Sequence, residues 1–295
     1  MTINLLSRLK SLFTDARPDG PFETLHENGQ VKSKGNYKDG QLVGPFESYY
    51  ENGQLESRGA YVDGTEDQPW ETYFDNGQLK FRGTYKNGQL DGSPEWFHKN
   101  GQLRERRTCK DGKNNGLWEF FYESGQLKSR GNYKDGKRDG PFEIFYNNGQ
   151  LRSKGNHQDD KRNGPYESYH ENGQLEAKGT SVNGNRDGRW EEFHQNGQLK
   201  SVGNYQDGKQ DGLWEMFHDN GQLRTKGNYA NDKREGPFEE CRENGQLKVK
   251  EHYKDGKQDG PYESYDENGK LKTRGTFRQG MLDGAYELYE DGVLQ

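Results

Sequence analysis

The acidic residues are the first candidates for chemistry. A glutamate recurs at one spacing along the chain: Glu23, Glu47, Glu71, Glu95, Glu119, Glu143, Glu167, Glu191, Glu215, Glu239, Glu263 and Glu287. Paired carboxylates are the raw material of general acid–base catalysis. Histidines form a second set, with His170, His194 and His218 in one slot of successive repeats and His26 and His98 in the same slot. Such sets can ligate a metal. Cys109 and Cys241 are the two cysteines, each a potential nucleophile or half of a disulfide. The third set is aromatic: Tyr49, Tyr73, Phe97, Phe121, Phe145, Tyr169, Phe193, Phe217, Tyr265 and Tyr289.

All of these sets follow one internal repeat. Glycines fall every 24 residues from Gly29 to Gly269, and a last one, Gly292, comes one residue early. One repeat reads GNYKDGKRDGPFEIFYNNGQLRSK, from Gly131 to Lys154. Asn-Gly between alternating residues, as at Asn52-Gly53, predicts a two-residue type I′ hairpin turn with positive φ at both positions. The second connection, as in Lys134 to Pro141, reads as longer, with Gly136 and Gly140 as punctuation. The tight turn sets a register pairing Tyr50 with Leu55, Tyr49 with Glu56, Ser48 with Ser57, Glu47 with Arg58 and Phe46 with Gly59. Alternation then divides the faces. One carries Phe46, Ser48, Tyr50, Leu55, Ser57, Gly59 and Tyr61, with Gly59 leaving room for the Phe46 ring. The other carries Glu47, Tyr49, Glu56, Arg58 and Ala60. In the fourth repeat Pro94 takes the place of the first aromatic, and Trp96 supplies a ring on the same face.

The expected fold is an all-β repeat: an elongated single antiparallel β-meander of twelve 24-residue hairpin units, about 24 strands, with a short N-terminal capping helix. Residues 1–17 form the amphipathic helix or cap, with Ile3, Leu5, Leu6, Leu9, Leu12 and Phe13 on one stripe. Residues 18–295 form the repeat domain. Only 26% of residues are hydrophobic and 31% are charged, a mixture that alone leans towards disorder. The 18 Tyr, 14 Phe and 5 Trp reverse that inference, because rings supply the buried area. A net charge of −6 without a Lys/Arg block argues against nucleic acid and anionic membranes. No signal peptide or apolar run of about 20 residues is seen, and the expected location is cytoplasmic.

Set on this repeat, the candidates for chemistry become structural. The register puts each glutamate opposite a base: Lys34, Arg58, Arg82, Arg106, Arg130, Lys154, Lys178, Lys226, Lys250 and Arg274. Cross-strand pairs of this kind stabilise a sheet by roughly 0.2–1 kcal/mol each. Val202 breaks the row and leaves Glu191 without its expected partner. Equivalent histidines lie two strands apart, roughly 9–10 Å, too far to converge on one metal, so they read as packing residues. The cysteines occupy aromatic slots and read as buried thiols. No catalytic residue, metal or cofactor is expected. The aromatic row, bordered by Glu and Lys/Arg on the charged face, reads as a binding surface.

The stretch Gly131-x-Tyr133-x-x-Gly136-x-x-x-Gly140-x-Phe142-Glu143 resembles a MORN repeat. The NGQL-K-x-x-G segment is similar to the bacterial MORN-variant repeat found in YwqK-type antitoxins and toxin-immunity proteins. The resemblance spans residues 18 to 295, and departs at Arg107 and Glu251, which lack the strand glycine. It departs also at Cys109, His157 and Ser181, which lack the second-strand aromatic. It implies no catalysis and no cofactor. It also implies a cytoplasmic protein, monomeric or in a one-to-one complex, that binds and occludes a cognate toxin encoded nearby. The irregular positions Arg106, Arg107, Cys109, Val202, Cys241 and Arg242 are the candidates for specificity. The alternatives are a scaffold or membrane-proximal assembly protein and a carbohydrate-binding repeat.

Overall fold

A computed structural model describes residues 18–290 and 292–295. The helix expected over residues 3–13, and the whole of segment 1–17, lie outside the described residues. The chain divides into two compact parts, Met1–Lys137 and Arg138–Gln295. Within each part the strands run antiparallel, each bonded to its neighbours in sequence, as a meander. The described residues hold 28 strand segments and no helix. In four repeats a long strand is interrupted, after Arg138, Arg162, Gln258 and Leu282. Joining those four pairs returns the expected 24 strands.

The turn types are the reverse of those expected. The two-residue turn with positive φ at both positions is the second connection: Asp63 (φ 48°) and Gly64 (φ 74°) join Val62 to its partner Thr65. Asp39-Gly40, Asn87-Gly88 and Asp207-Gly208 repeat it. At the Asn-Gly tip only Gly53 is left-handed (φ 79°). Tyr50 N–H donates to Gln54 O at 2.8 Å and Gly53 N–H to Tyr50 O at 2.9 Å. The tip is therefore a three-residue loop closed by a glycine bulge. Asn52 serves it with its side chain, accepting from Gln54 N–H at 3.0 Å and donating to Asp75 O of the next tip at 2.9 Å.

The bulge corrects the register at one end only. Ser48↔Ser57, Glu47↔Arg58 and Phe46↔Gly59 pair as expected, but Tyr49 pairs with Leu55, not Glu56, and Tyr50 leaves the ladder for the turn. The face assignment of Phe46, Ser48, Glu47 and Tyr49 stands. Ser48 and Ser57 hydroxyls meet at 2.8 Å on one face. The Tyr49 hydroxyl donates to Glu47 on the other.

The apolar face holds the core. Trp70, Trp118, Phe142, Trp190, Trp214 and Phe238 are all buried, as is Pro94. In the second part the rings interleave edge to face, with Tyr205 5.1 Å from Trp214, Tyr229 6.2 Å from Phe238 and Phe238 5.8 Å from Tyr253. Trp96 does replace the ring lost at Pro94, packing 5.1 Å from Phe81. The strand glycine makes the interleaving possible, in the expected way at Gly35, Gly131 and Gly155, which lie under Phe22, Trp118 and Phe142 of their own hairpins, but not at Gly59. A Cβ at Gly59 would overlap the ring of Trp70, from the following hairpin, rather than that of Phe46. Gly179, Gly203 and Gly227 stand likewise under Trp190, Trp214 and Phe238.

Gly59→Ala should destabilise the protein by about 1–3 kcal/mol, the range for overpacking a filled site. Urea unfolding followed by near-UV circular dichroism checks this. The cost should shrink when Trp70 is Leu, and an equal cost in both backgrounds would contradict ring-over-glycine packing.

Candidate functional site

The charged face is built from three rows held in register by the ladder. Within the rows a glutamate generally lies between two bases, as Glu47 does between Lys34 and Arg58. In the first part the ion pair forms with the base 13 residues back: Lys34–Glu47 at 2.7 Å, Arg58–Glu71 at 2.6 Å, Arg82–Glu95 at 2.5 Å and Arg106–Glu119 at 2.5 Å. In the second part Lys154–Glu167 at 2.9 Å and Lys178–Glu191 at 2.7 Å follow the same rule. Val202 then removes one base. Glu191 is not left unpartnered, as the sequence suggested, because it keeps Lys178 and also meets Arg189 at 2.9 Å. Glu215 loses its backward base and pairs forward with Lys226 at 2.9 Å, and Glu239 and Glu263 follow with Lys250 and Arg274. One apolar residue thus reverses the pairing direction downstream.

The aromatic row completes the lattice. Cations stand over its rings: Lys34 over Tyr49 at 5.3 Å, Arg58 over Tyr73 at 5.8 Å, Arg82 over Phe97 at 5.5 Å and Lys178 over Phe193 at 5.7 Å. Where the residue is tyrosine its hydroxyl donates to the glutamate two residues earlier, Tyr73 to Glu71 at 2.5 Å and Tyr265 to Glu263 at 2.6 Å. Tyr169 makes the same bond to Glu167. Tyr49, Tyr73, Phe97, Phe121, Phe145, Tyr169, Phe193, Phe217 and Tyr265 are all half-buried. Each presents part of its ring to solvent on a face otherwise made of charge.

The electrostatics follow. The Lys34 and Tyr49 hydrogen bonds hold the Glu47 carboxyl below its ordinary range. The bond from Tyr265 does the same, foremost among several causes, for Glu263. Burial, then the adjacent carboxylate, pushes the Tyr73 and Tyr265 phenols up to about 12.

The irregular residues do not form one patch. Arg106 belongs to the charged face, paired with Glu119. Arg107 points to the other face, 5.0 Å over the Trp96 ring and paired with the buried Glu105. Val202 and Cys241 lie buried in the charged-face rows, while Cys109 is buried in the aromatic face. Both cysteines are free thiols, raised in pKa by burial.

The histidine slot has a use the sequence did not show. His170, His194 and His218 donate through Nε2 to the carbonyls of Phe193, Phe217 and Cys241 at 3.0, 3.1 and 3.1 Å. In the same slot Tyr50 donates to Tyr73 O at 2.7 Å and Arg242 to Tyr265 O at 2.7 Å. Each bond caps the carbonyl of a bulge residue in the next repeat. Among the described residues no cluster of His, Cys, Asp and Glu could hold a metal. The reading also passed over a row of arginines on the aromatic face. Arg186 and Arg234 stand 4.3 and 4.1 Å over Trp190 and Phe238.

The raised phenols fix a sign. A phenol whose folded pKa lies above its unfolded value near 10 contributes stability that is fully present below pH 10. That contribution is lost as pH climbs to about 12. The urea midpoint should fall across that window, and absorbance titration at 295 nm should show a late-titrating group among the 18 tyrosines. Glu71→Gln should return Tyr73 towards 10. A single step near 10 for every tyrosine would contradict the tyrosine–glutamate lattice.

The MORN repeat variant family matches residues 18–39, 42–63, 69–87, 114–135, 138–159, 162–183, 186–207, 210–231, 234–255 and 258–279. No curated protein matches. Among solved structures, TcdB2-TccC3-TEV aligns at 15% identity over 98% of this chain and 16% of that one, and TcdB2-TccC3-Cdc42 at 11% over 99% and 19%. The Photorhabdus luminescens Tc holotoxin pore aligns at 13% over 99% and 18%. The TM-score is 0.19 in each case, which carries no argument, and the chain spans less than a fifth of the length of these chains. The ten family matches cover more than half of the sequence: the chain belongs to the MORN repeat variant family, whose repeats suggest a protein-binding or scaffold protein.

Proposed function

We propose that the chain is a non-enzymatic, cytoplasmic protein that holds another protein, and specifically an immunity or antitoxin-type protein that occludes a cognate toxin encoded nearby. The observation that carries the binding reading is the half-buried aromatic row set in an ion-pair lattice. Rings partly exposed between positioned charges are the composition of a recognition surface. The carboxylates, bases and histidines that could do chemistry are engaged with one another or with backbone carbonyls. That leaves the surface, rather than a reactive group, to act. A regular lattice presents the same surface in every repeat, so the departures at Val202 and Cys241, where this face loses a base and a ring, would supply selectivity. The toxin-directed reading is supported by the resemblance of the NGQL-K-x-x-G segment to the repeats of YwqK-type antitoxins.

Calorimetry with the purified product of the adjacent gene should give a one-to-one complex. Phe97→Ala and Phe193→Ala should each weaken it at least about tenfold, ~1.4 kcal/mol, at a temperature where circular dichroism shows the variants folded. Absence of a complex, or a Kd unmoved by any substitution along the row, would contradict the proposal.

A further inference from the structure

Among the described residues the aromatic face lacks a ring in the Tyr61 slot at Cys109 and at Ser181, and at Ser181 the rings on either side remain paired. In the first part Phe46 and Trp70 stack at 6.1 Å, and Tyr61 stands edge-on to both, at 5.4 and 5.3 Å. Five repeats later Tyr166 and Trp190 stay paired at 5.9 Å, tilted by 32°, but position 181, the equivalent of Tyr61, is serine. The strand pairing is unchanged, with Gly164 opposite Ser181 as Gly44 is opposite Tyr61. The side chain that stands edge-on to the ring pair is missing while the pair remains.

The polar end of the missing side chain also keeps its receptor. In neighbouring repeats the tyrosine hydroxyl in this slot meets an arginine 19 residues earlier, Arg186 to Tyr205 at 3.0 Å and Arg234 to Tyr253 at 2.8 Å. The corresponding arginine for position 181 is Arg162. Its guanidinium lies 5.0 Å over the Tyr166 ring, at the edge of the vacancy. In the space stands an open cavity of about 470 Å³, lined by Arg162, Tyr166, Ser168, Ser181, Arg186 and Trp190 among others. Ser181 is among the lining residues and is itself 3% exposed, with Arg186 opposite it in the ladder.

We infer that this cavity receives a tyrosine side chain of the partner protein. The partner's ring would take the edge-on place that Tyr61 occupies over Phe46 and Trp70, and its hydroxyl would accept from Arg162. Aromatic rings favour that edge-to-face arrangement, and a ring entering a pre-formed pocket loses little conformational freedom. The inference rests on the reading that the chain holds a protein, but not on the charged face.

The probe is p-cresol, the tyrosine side chain alone, titrated into the full chain and followed through the Trp190 indole N–H, which donates to Thr180 O at 2.9 Å. A saturable shift of that signal is expected in the wild type. It should be lost in Ser181→Tyr, and at least about tenfold weaker in affinity in Arg162→Met. Ser181→Tyr should also raise Tm by about 2–4 °C, the shift that a modest cavity filling gives a chain of this class. No saturable shift, an unchanged shift in Ser181→Tyr, or a lowered Tm for that variant would overturn the site. Calorimetry with the adjacent gene's product separates the two readings. A complex indifferent to Ser181→Tyr overturns tyrosine docking and leaves protein binding standing. No complex at all, with p-cresol bound as described, removes the protein-binding reading instead.

Discussion

A ring must lie over a glycine in nearly every repeat, and most of the structure follows from that. With 26% hydrophobic residues the chain has little else to bury. Most repeats contribute one large ring on the first strand and one on the second, and the strand glycine gives a neighbouring ring somewhere to lie. That requirement fixes which face is apolar. It also fixes why the period tolerates no insertion, since one residue more would turn the ring to the opposite face. The two repeats that lack the glycine show the same constraint from the other side. Arg107 covers the displaced Trp96, and Glu251 takes hydrogen bonds from Tyr253 and Gln258 at 2.7 and 2.6 Å.

The opposite face is organised by charge and is correspondingly adjustable. A glutamate between two bases can pair with either, and the choice in one repeat constrains the next. Val202 shows this most clearly, since the pairing runs backward before it and forward after it. Individually such pairs contribute little. Their regularity holds the aromatic row in place, with cations over the rings and hydroxyls on the carboxylates, so that the half-exposed rings are ordered before any partner arrives.

The period, the two faces and the central pairs Ser48–Ser57, Glu47–Arg58 and Phe46–Gly59 were legible in the sequence. Alternation and charge complementarity specify them whatever the turn. The turn itself was not. Asn-Gly suits a two-residue turn in an isolated hairpin, but here Asn52 uses its side chain to tie one tip to the next, an interaction that exists only once repeats are stacked. The ring over Gly59 was misassigned for the same reason, since tilting Trp70 across it is a contact between hairpins. The capping bonds of His170, His194 and His218 span 23 residues and likewise have no local signature. Of the candidate site, the aromatic row was legible as a row. Arg106 and Arg107 were read as neighbours in function, although adjacent strand residues face opposite ways. Ser181 was visible as a departure, but its meaning depends on Arg162, Tyr166 and Trp190 remaining around it.

On the proposed function, regular positions build the lattice while departures from the repeat select the partner. Amide hydrogen exchange on the full chain, free and saturated with the product of the adjacent gene, tests it most directly. Added protection is expected to be concentrated in the irregular repeats, around residues 97–109, 181–202 and 241–242. Protection spread evenly over all repeats, or confined to regular ones such as 45–61, would contradict it.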